Sequence, residues 1–369
     1  MINSYDLNLE VILDKAYRKE FLSKEEIIFL LSQREDEEVN QIFYTARKIR
    51  KKFFDDKIFL YGFVYFSTYC RNNCTFCLYR KANHFLERYR KSKAEILETA
   101  ASLAESGVHL LDLTMGEDPE FLADDPHGVG KLLKMVEEVK KVSGLPLMIS
   151  PGVVPVSFLK DSQSAGINWY ALYQETHNRD LYGKLRLGQS YDERWQTKTS
   201  AHQIGMLVEE GLLTGIGDTM ADVADSMAAM RELGAEQVRV MSFVPQKETP
   251  MADWVSPSRI HELLIIAVMR LLFPDRLIPA SLDVDGIKGL KERLNAGANV
   301  VTSIIPPEAG LAGVSNSSLD IEDGNRTVKR VTQVLGEIGL TPAAAAEYQN
   351  WVKRRQELLK DPICQVAVL

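Results

Sequence analysis

The apolar positions along the chain change their period once, near residue 57. Before that point they recur at helical spacing. Leu9, Val11, Ile12 and Tyr17 form one stripe and Ile27–Leu31 a second. Ser23 stands three residues ahead of Glu26, a capping-box arrangement that opens the second stripe. Residues 1–57 are therefore predicted to be helical. From Ile58 onward, short apolar, β-branched or aromatic runs alternate with longer amphipathic stretches. The runs are Ile58–Phe66, Val108–Thr114, Leu145–Ser150, Ile167–Tyr173, Leu212–Gly217, Gln237–Ser242, Arg276–Ser281 and Ala298–Ser303. Between them lie helical patterns over Lys93–Ser106, Val129–Val142, Asp192–Glu210, Val223–Leu233, Ser258–Phe273 and Gly286–Asn295. Gly107, Gly166, Gly211, Gly234 and Gly297 each precede a predicted strand and read as helix-ending glycines.

Eight β-then-α units in series predict an α/β fold, a closed (β/α)8 barrel of the TIM type. An open doubly wound sheet is the alternative arrangement. Thr327–Leu359 reads as two more helices, broken near Thr341-Pro342. The expected organisation is one domain: an N-terminal helical extension over 1–57, the barrel over 58–326, and C-terminal helices over 327–369 packed on the barrel.

Composition narrows the class. The 369 residues are 45% hydrophobic and 26% charged, ordinary for a globular chain with a core that needs no disulfides. A net charge of −7 weighs against nucleic acid as the partner, since phosphate contacts need clustered Lys and Arg. The basic run Arg47–Lys52 is short and reads as a solvated helix end. Asp6, Glu10 and Asp14 interrupt the first residues where a signal peptide would be apolar, and Leu263–Met269 is too short to span a bilayer. The expectation is a cytoplasmic protein with no membrane partner.

Three of the four cysteines crowd together after the first predicted strand: Cys70, Cys74 and Cys77, spaced CxxxCxxC with Phe76 before the last. Thiolates are soft ligands suited to iron–sulfur clusters. Three of them on one loop can hold three irons of a 4Fe–4S cubane and leave the fourth open for chemistry. A structural zinc site is the plainer alternative, but it wants a fourth protein ligand, and only His84 lies near. Barrel active sites sit on the loops that follow strand C-termini, where this loop falls.

The CxxxCxxC spacing with its penultimate aromatic resembles the signature of the radical S-adenosylmethionine superfamily. The resemblance implies that S-adenosylmethionine binds the open iron and yields a deoxyadenosyl radical that takes hydrogen from a substrate. Thr114-Met115-Gly116-Glu117-Asp118 is similar to the superfamily's Gly-Gly-Glu segment, with Met115 in place of the first glycine. It implies a role for Gly116 and Glu117 at the cofactor's amino group. Glu175, after the fourth strand, could accept hydrogen bonds from ribose hydroxyls. Arg194, in Ser190-Tyr191-Asp192-Glu193-Arg194, resembles an arginine of biotin synthase and hydrogenase-maturation enzymes that pairs with the cofactor carboxylate. An exposed helix position is the alternative for Arg194.

Charges also stand where strands should be apolar. Asp112 lies in the second run, Arg239 in the sixth, Asp283 just after the seventh, with Thr302 and Ser303 closing the eighth. A buried charge wants a partner. One outcome is an internal pair of Arg239 with Asp112 or Asp283. The other is a ligand at the barrel mouth: Arg239 for the carboxylate of an amino acid, Asp112 and Asp283 for two ammonium groups, as in lysine.

Several longer blocks sharpen the resemblance. Asp112-Leu113-Thr114-Met115-Gly116-Glu117-Asp118-Pro119, Met148-Ile149-Ser150-Pro151-Gly152, Tyr173-Gln174-Glu175-Thr176, Pro279-Ala280-Ser281-Leu282-Asp283 and Leu294-Asn295-Ala296-Gly297-Ala298-Asn299 look like the methylornithine synthase family. The likeness runs from the N-terminal helices to about residue 350. It implies an isomerase of pyrrolysine biosynthesis that turns L-lysine into (3R)-3-methyl-D-ornithine by radical fragmentation and recombination. It also implies a reducing electron-donor protein, and Asp112, Arg239, Ser281 and Asp283 as the substrate contacts. The rival readings are another radical enzyme, of the biotin synthase or hydrogenase-maturation type, and a non-catalytic metal-binding protein. Sulfur insertion would need ligands for a second cluster, and outside the loop only Cys364 remains.

Overall fold

The computed structural model of the chain describes residues 7–122, 126–306 and 325–360. Three helices come first: α1 (Leu9–Tyr17), α2 (Lys24–Ser32) and α3 (Asp36–Phe54). The Ser23/Glu26 capping box is present at the head of α2. Strand β1 (Lys57–Ser67) then opens a series of parallel strands: β2 (Leu110–Met115), β3 (Leu147–Ser150), β4 (Trp169–Ala171), β5 (Leu207–Thr214), β6 (Gln237–Ser242), β7 (Pro279–Ser281) and β8 (Val300–Ile304). Their order around the sheet is β6-β5-β4-β3-β2-β1-β8-β7. The two ends meet through one parallel bridge, Gln237 to Leu277, with Val238 N donating to Leu277 O at 3.0 Å. The barrel is thus nearly closed, as the eight repeating units predict.

The connecting helices are α4 (Lys93–Ser106), the single turn α5 (Pro119–Leu122), α6 (Pro126–Ser143), α7 (Val156–Ser164), α8 (Arg179–Leu185), α9 (Tyr191–Gln203), α10 (Met220–Leu233), α11 (Arg259–Leu272) and α12 (Leu290–Asn295). α13 (Val328–Glu337) and α14 (Ala345–Lys360) follow, with a short strand β9 (Thr341–Pro342) between them that pairs with β1.

Alternation along β1 sorts the core into two regions. Ile58, Leu60, Val64 and Phe66 face the helices and join the large outer core. Phe59, Tyr61, Phe63 and Tyr65 face inward and pack with Leu110, Met148, Trp169 and Leu207. α14 closes the N-terminal end of this interior. Tyr348, fully buried, places its hydroxyl 2.7 Å from that of Tyr61, and Trp351 stacks on Trp169 with centroids 5.9 Å apart. The barrel floor is therefore aromatic and sealed, and the open end is the one carrying the strand C-termini.

One boundary differs from the sequence pattern. α9 stops at Gln203, followed by Gly205 with φ +90°, and β5 starts at Leu207 instead of Leu212. Gly211 is not a helix end; it lies inside β5, where a Cβ would press on the Tyr173 ring at 2.9 Å. The pattern misled because Glu209 and Glu210 look like the solvated end of a helix. Both are fully buried strand residues. Glu209 faces into the barrel toward Arg239, and Glu210 faces outward toward Lys198 of α9.

Candidate active site

β1 delivers the chain to the open end of the barrel and into the cysteine loop. The loop is tied down through its backbone. Arg71 N donates to Glu117 O at 2.9 Å, and Thr75 N to Leu185 O at 2.8 Å. The Arg88 guanidinium donates to the carbonyls of Thr68, Tyr79, Arg80 and Asn83, which gathers both ends of the loop around one cation. Cys70, Cys74 and Cys77 are free and line one cavity at the barrel mouth. Burial pushes the Cys70 thiol up to about 11, and burial with the neighbouring cysteines pushes Cys77 up as well.

Among the described residues no three His, Cys, Asp or Glu side chains converge on a point where a single metal ion would sit. His84 is exposed, with its backbone N–H on Glu248. Three thiols with no fourth ligand beside them among the described residues suit a cubane, in which each iron takes its own thiolate, better than a structural zinc, which wants four protein ligands. Cys364 lies outside the described residues.

The predicted cofactor residues line the same cavity: Gly116, Glu117, Glu175 and Arg194. Gly116 follows β2 directly against the loop; a Cβ there would run into the Tyr69 carbonyl and lie 2.9 Å from Cys70 Cβ. Gly152, with φ +91°, leaves room that a Cβ would take from the Glu117 side chain. Glu117 accepts from Arg71 Nε (3.1 Å) and Arg194 Nη1 (3.3 Å). Burial raises its pKa, but Arg194, Asn72 and Arg71 outweigh that and hold the carboxyl below its usual range. Arg194 is buried, not exposed, and its Nε donates to Tyr173 O at 2.8 Å. Glu175 has φ +68°, an uncommon conformation for a non-glycine, held by Glu175 N on Gly211 O and Leu213 N on Glu175 O. Its carboxylate accepts from Arg186 Nη2 at 2.7 Å.

Below the loop lies a charged layer. Asp112, Glu209 and Arg239 are inward residues of β2, β5 and β6, stacked above the aromatic floor. Arg239 pairs with Glu209 at 2.6 Å, not with Asp112 or Asp283. Its Nη1 donates to Thr302 Oγ1 at 3.3 Å, and its Nη2 is buried without a hydrogen-bond partner among the described residues. Asp112 accepts from Ser150 Oγ at 2.8 Å. Burial, reinforced by Glu209, pushes its carboxyl up to about 8. Asp283 lines the cavity too and is held from several sides: Tyr65 OH (2.9 Å), Ser303 Oγ (2.6 Å) and Arg326 Nη1 (2.9 Å). Ser281 is buried but is not part of the cavity wall; its Oγ accepts from Asp283 N at 3.2 Å.

The structure thus brings together the three cysteines, Gly116, Glu117, Glu175, Arg194, Asp112, Arg239 and Asp283, and sets Ser281 one step behind. Sequence reasoning missed Arg186, Gln189, Glu209, Tyr65 and Arg326. For Glu209 the signal was a demand left open, since a strand arginine needs a carboxylate and the apparent helix end hid one.

The Radical SAM superfamily model matches residues 64–230. The chain is 44% identical over 329 residues to the 3-methylornithine synthase of Methanosarcina acetivorans, covering 89% of this chain and 93% of that one. It is 31% identical over 293 residues to the FeFe-hydrogenase maturase subunit HydE of Thermotoga maritima, covering 79% and 82%. A solved methylornithine synthase superposes with a TM-score of 0.87 at 43% identity, covering 92% of this chain and 99% of that one.

Proposed function

The chain belongs to the methylornithine synthase family of the radical S-adenosylmethionine superfamily, and from that premise we propose that it converts L-lysine to (3R)-3-methyl-D-ornithine. The reaction is an isomerisation: the carbon skeleton is rearranged and no atom is gained or lost. One observation carries the reading. A single cavity holds three thiols at its mouth and a charge pattern complementary to a diamino acid beneath them.

Cys70, Cys74 and Cys77 would hold a 4Fe–4S cluster, and Gly116, Glu117, Glu175 and Arg194 would hold S-adenosylmethionine beside it. Together these groups supply hydrogen-atom abstraction from an unactivated carbon. The remaining work falls to the protein. Arg239, fixed by Glu209, offers Nη2, which has no partner among the described residues, to the substrate carboxylate. Asp112 and Asp283 receive the ammonium groups. The floor of Tyr61, Trp169 and Tyr348 excludes water from below. A closed barrel keeps the two halves of a split substrate within reach of each other until they rejoin.

A reducing electron-donor protein and a cytoplasmic location belong to the same proposal. Among the described residues no helix is long and apolar enough to cross a membrane, and a loop of free thiols suits a reducing compartment. The test of the substrate assignment is an anaerobic comparison of lysine with norleucine, which lacks the terminal amine. Rearrangement of lysine alone supports it; equal turnover of norleucine refutes charge reading at the second ammonium site.

A further inference from the structure

Two side chains outside the roles above converge on one cysteine. Gln189 Nε2 donates to Cys74 Sγ at 3.1 Å, and Arg186 Nη1 lies 3.6 Å from the same sulfur. The Gln189 amide is oriented by its other end, whose Oε1 accepts from Arg186 Nη1 (3.5 Å) and Arg194 Nη1 (3.4 Å). With the oxygen committed to two guanidinium groups, the NH2 must face the sulfur. Arg186 is buried and sits over the Phe76 ring at 5.5 Å. Its Nη2 donates to Glu175 Oε1 (2.7 Å) and Tyr173 O (3.1 Å), while its Nε has no partner among the described residues. One guanidinium therefore spans from a cysteine of the loop to a carboxylate of the cofactor cradle.

A buried cation and an aligned amide aimed at a sulfur are an arrangement for a thiolate, not for a neutral thiol. We propose that Gln189 and Arg186 are positioning residues that orient Cys74 as a cluster ligand and raise the reduction potential of the cluster it holds. The inference rests on the cysteine loop being the iron–sulfur site. Reduction adds negative charge, which spreads onto the thiolates. N–H···S hydrogen bonds and a nearby positive charge favour that state over the oxidised one. Arg186 also neutralises Glu175, so without it a bare carboxylate would face the cluster and oppose reduction further.

The experiment is a potentiometric titration of the reconstituted protein, read by electron paramagnetic resonance without S-adenosylmethionine or lysine. The proteins compared are wild type, Gln189→Leu and Arg186→Lys, each with iron content measured first. Wild type that binds no cluster overturns the reading of the loop itself. With the cluster in place, Gln189→Leu should move the midpoint to a more negative potential by about a tenfold change in the one-electron equilibrium, which is about 59 mV. Arg186→Lys keeps the charge but cannot span both partners, and should shift in the same direction. If Arg186→Lys fails to hold iron, Gln189→Leu alone decides. An iron-loaded Gln189→Leu with the wild-type potential overturns the inference, because a purely architectural role would leave the potential unmoved.

Discussion

Arg239 Nε donates to Glu209 Oε1 at 2.6 Å inside the barrel, with both side chains closed to solvent, and Tyr173 OH donates to the other carboxylate oxygen at 2.9 Å. Glu209 thus turns the guanidinium so that its Nε edge is spent on the protein, and Nη2 has no hydrogen-bond partner among the described residues. A hydrogen bond to a charged group contributes about 1.5–3 kcal/mol. Glu209→Gln should therefore lower kcat/KM for lysine about 10- to 150-fold while the protein still binds iron. Arg239→Lys should not restore activity in either background, since an ammonium cannot serve Glu209, Thr302 and a carboxylate in one plane. Steady-state kinetics on iron-loaded variants decide this; full activity in Glu209→Gln would return the pair to a structural role.

Asp112 sets a pH dependence. It faces Ser150, Glu209, Arg239 and Asp283, and burial pushes its carboxyl up to about 8. Below that pH the empty barrel holds it largely protonated, whereas an ammonium ligand favours the ionised form. Lysine binding should release a proton, and affinity should rise from pH 6 toward pH 8. The same raised value has the opposite effect on ligand-free stability. This group's contribution is full below the unfolded value near 3.8 and is lost as pH rises through about 8. Asp112→Asn should flatten both slopes. Calorimetric titration with lysine at several pH values, alongside thermal melts, reads both; an unchanged slope in Asp112→Asn contradicts the assignment.

Much of this arrangement was legible in the chain itself. Continuous apolar runs mark strands buried on both faces, and seven of the eight runs overlap the strands they predict at close register. The cysteine loop and Gly116-Glu117 are local in sequence, so spacing alone singles them out, and the fold brings them to one cavity. What escaped are pairings between distant elements. Glu209 and Glu210 are charged, and charge reads as surface until Arg239 and Lys198 are seen beside them. Arg186 and Gln189 sit in a short polar stretch with no periodicity, and only the fold brings them 112 and 115 residues along the chain to Cys74. Arg326, which follows β8 in the chain, pairs with Asp283, 43 residues before it.

Lys198 and Glu210 form a fully buried ion pair behind the strand that leads to Glu175, with Lys198 Nζ also on Gln174 Oε1 at 2.8 Å. Removing one partner of such a pair leaves the other charge bare, at a cost of about 3–5 kcal/mol. Lys198→Met should therefore melt many degrees below wild type. The double variant Lys198→Met/Glu210→Gln should recover much of the loss, because no bare charge remains. Thermal denaturation of the three proteins reads the result; a single variant as stable as wild type would show that Glu210 finds another partner.

The cysteines should divide cleanly. Cys70→Ser, Cys74→Ser and Cys77→Ser should each abolish the visible absorbance of a reconstituted cluster, while Cys364→Ser should keep it. Loss of the cluster in Cys364→Ser would contradict a three-ligand loop.

The reaction is tested most directly by identifying its product. The reconstituted enzyme is incubated anaerobically with uniformly carbon-13-labelled L-lysine, dithionite and S-adenosylmethionine, and the amino acids are separated by chiral chromatography and mass spectrometry. The expected result is a new species of the same mass as the labelled lysine, all six carbons retained, eluting with (3R)-3-methyl-D-ornithine. Cleavage of S-adenosylmethionine with lysine recovered unchanged, or a product that has lost or gained carbon, would contradict it.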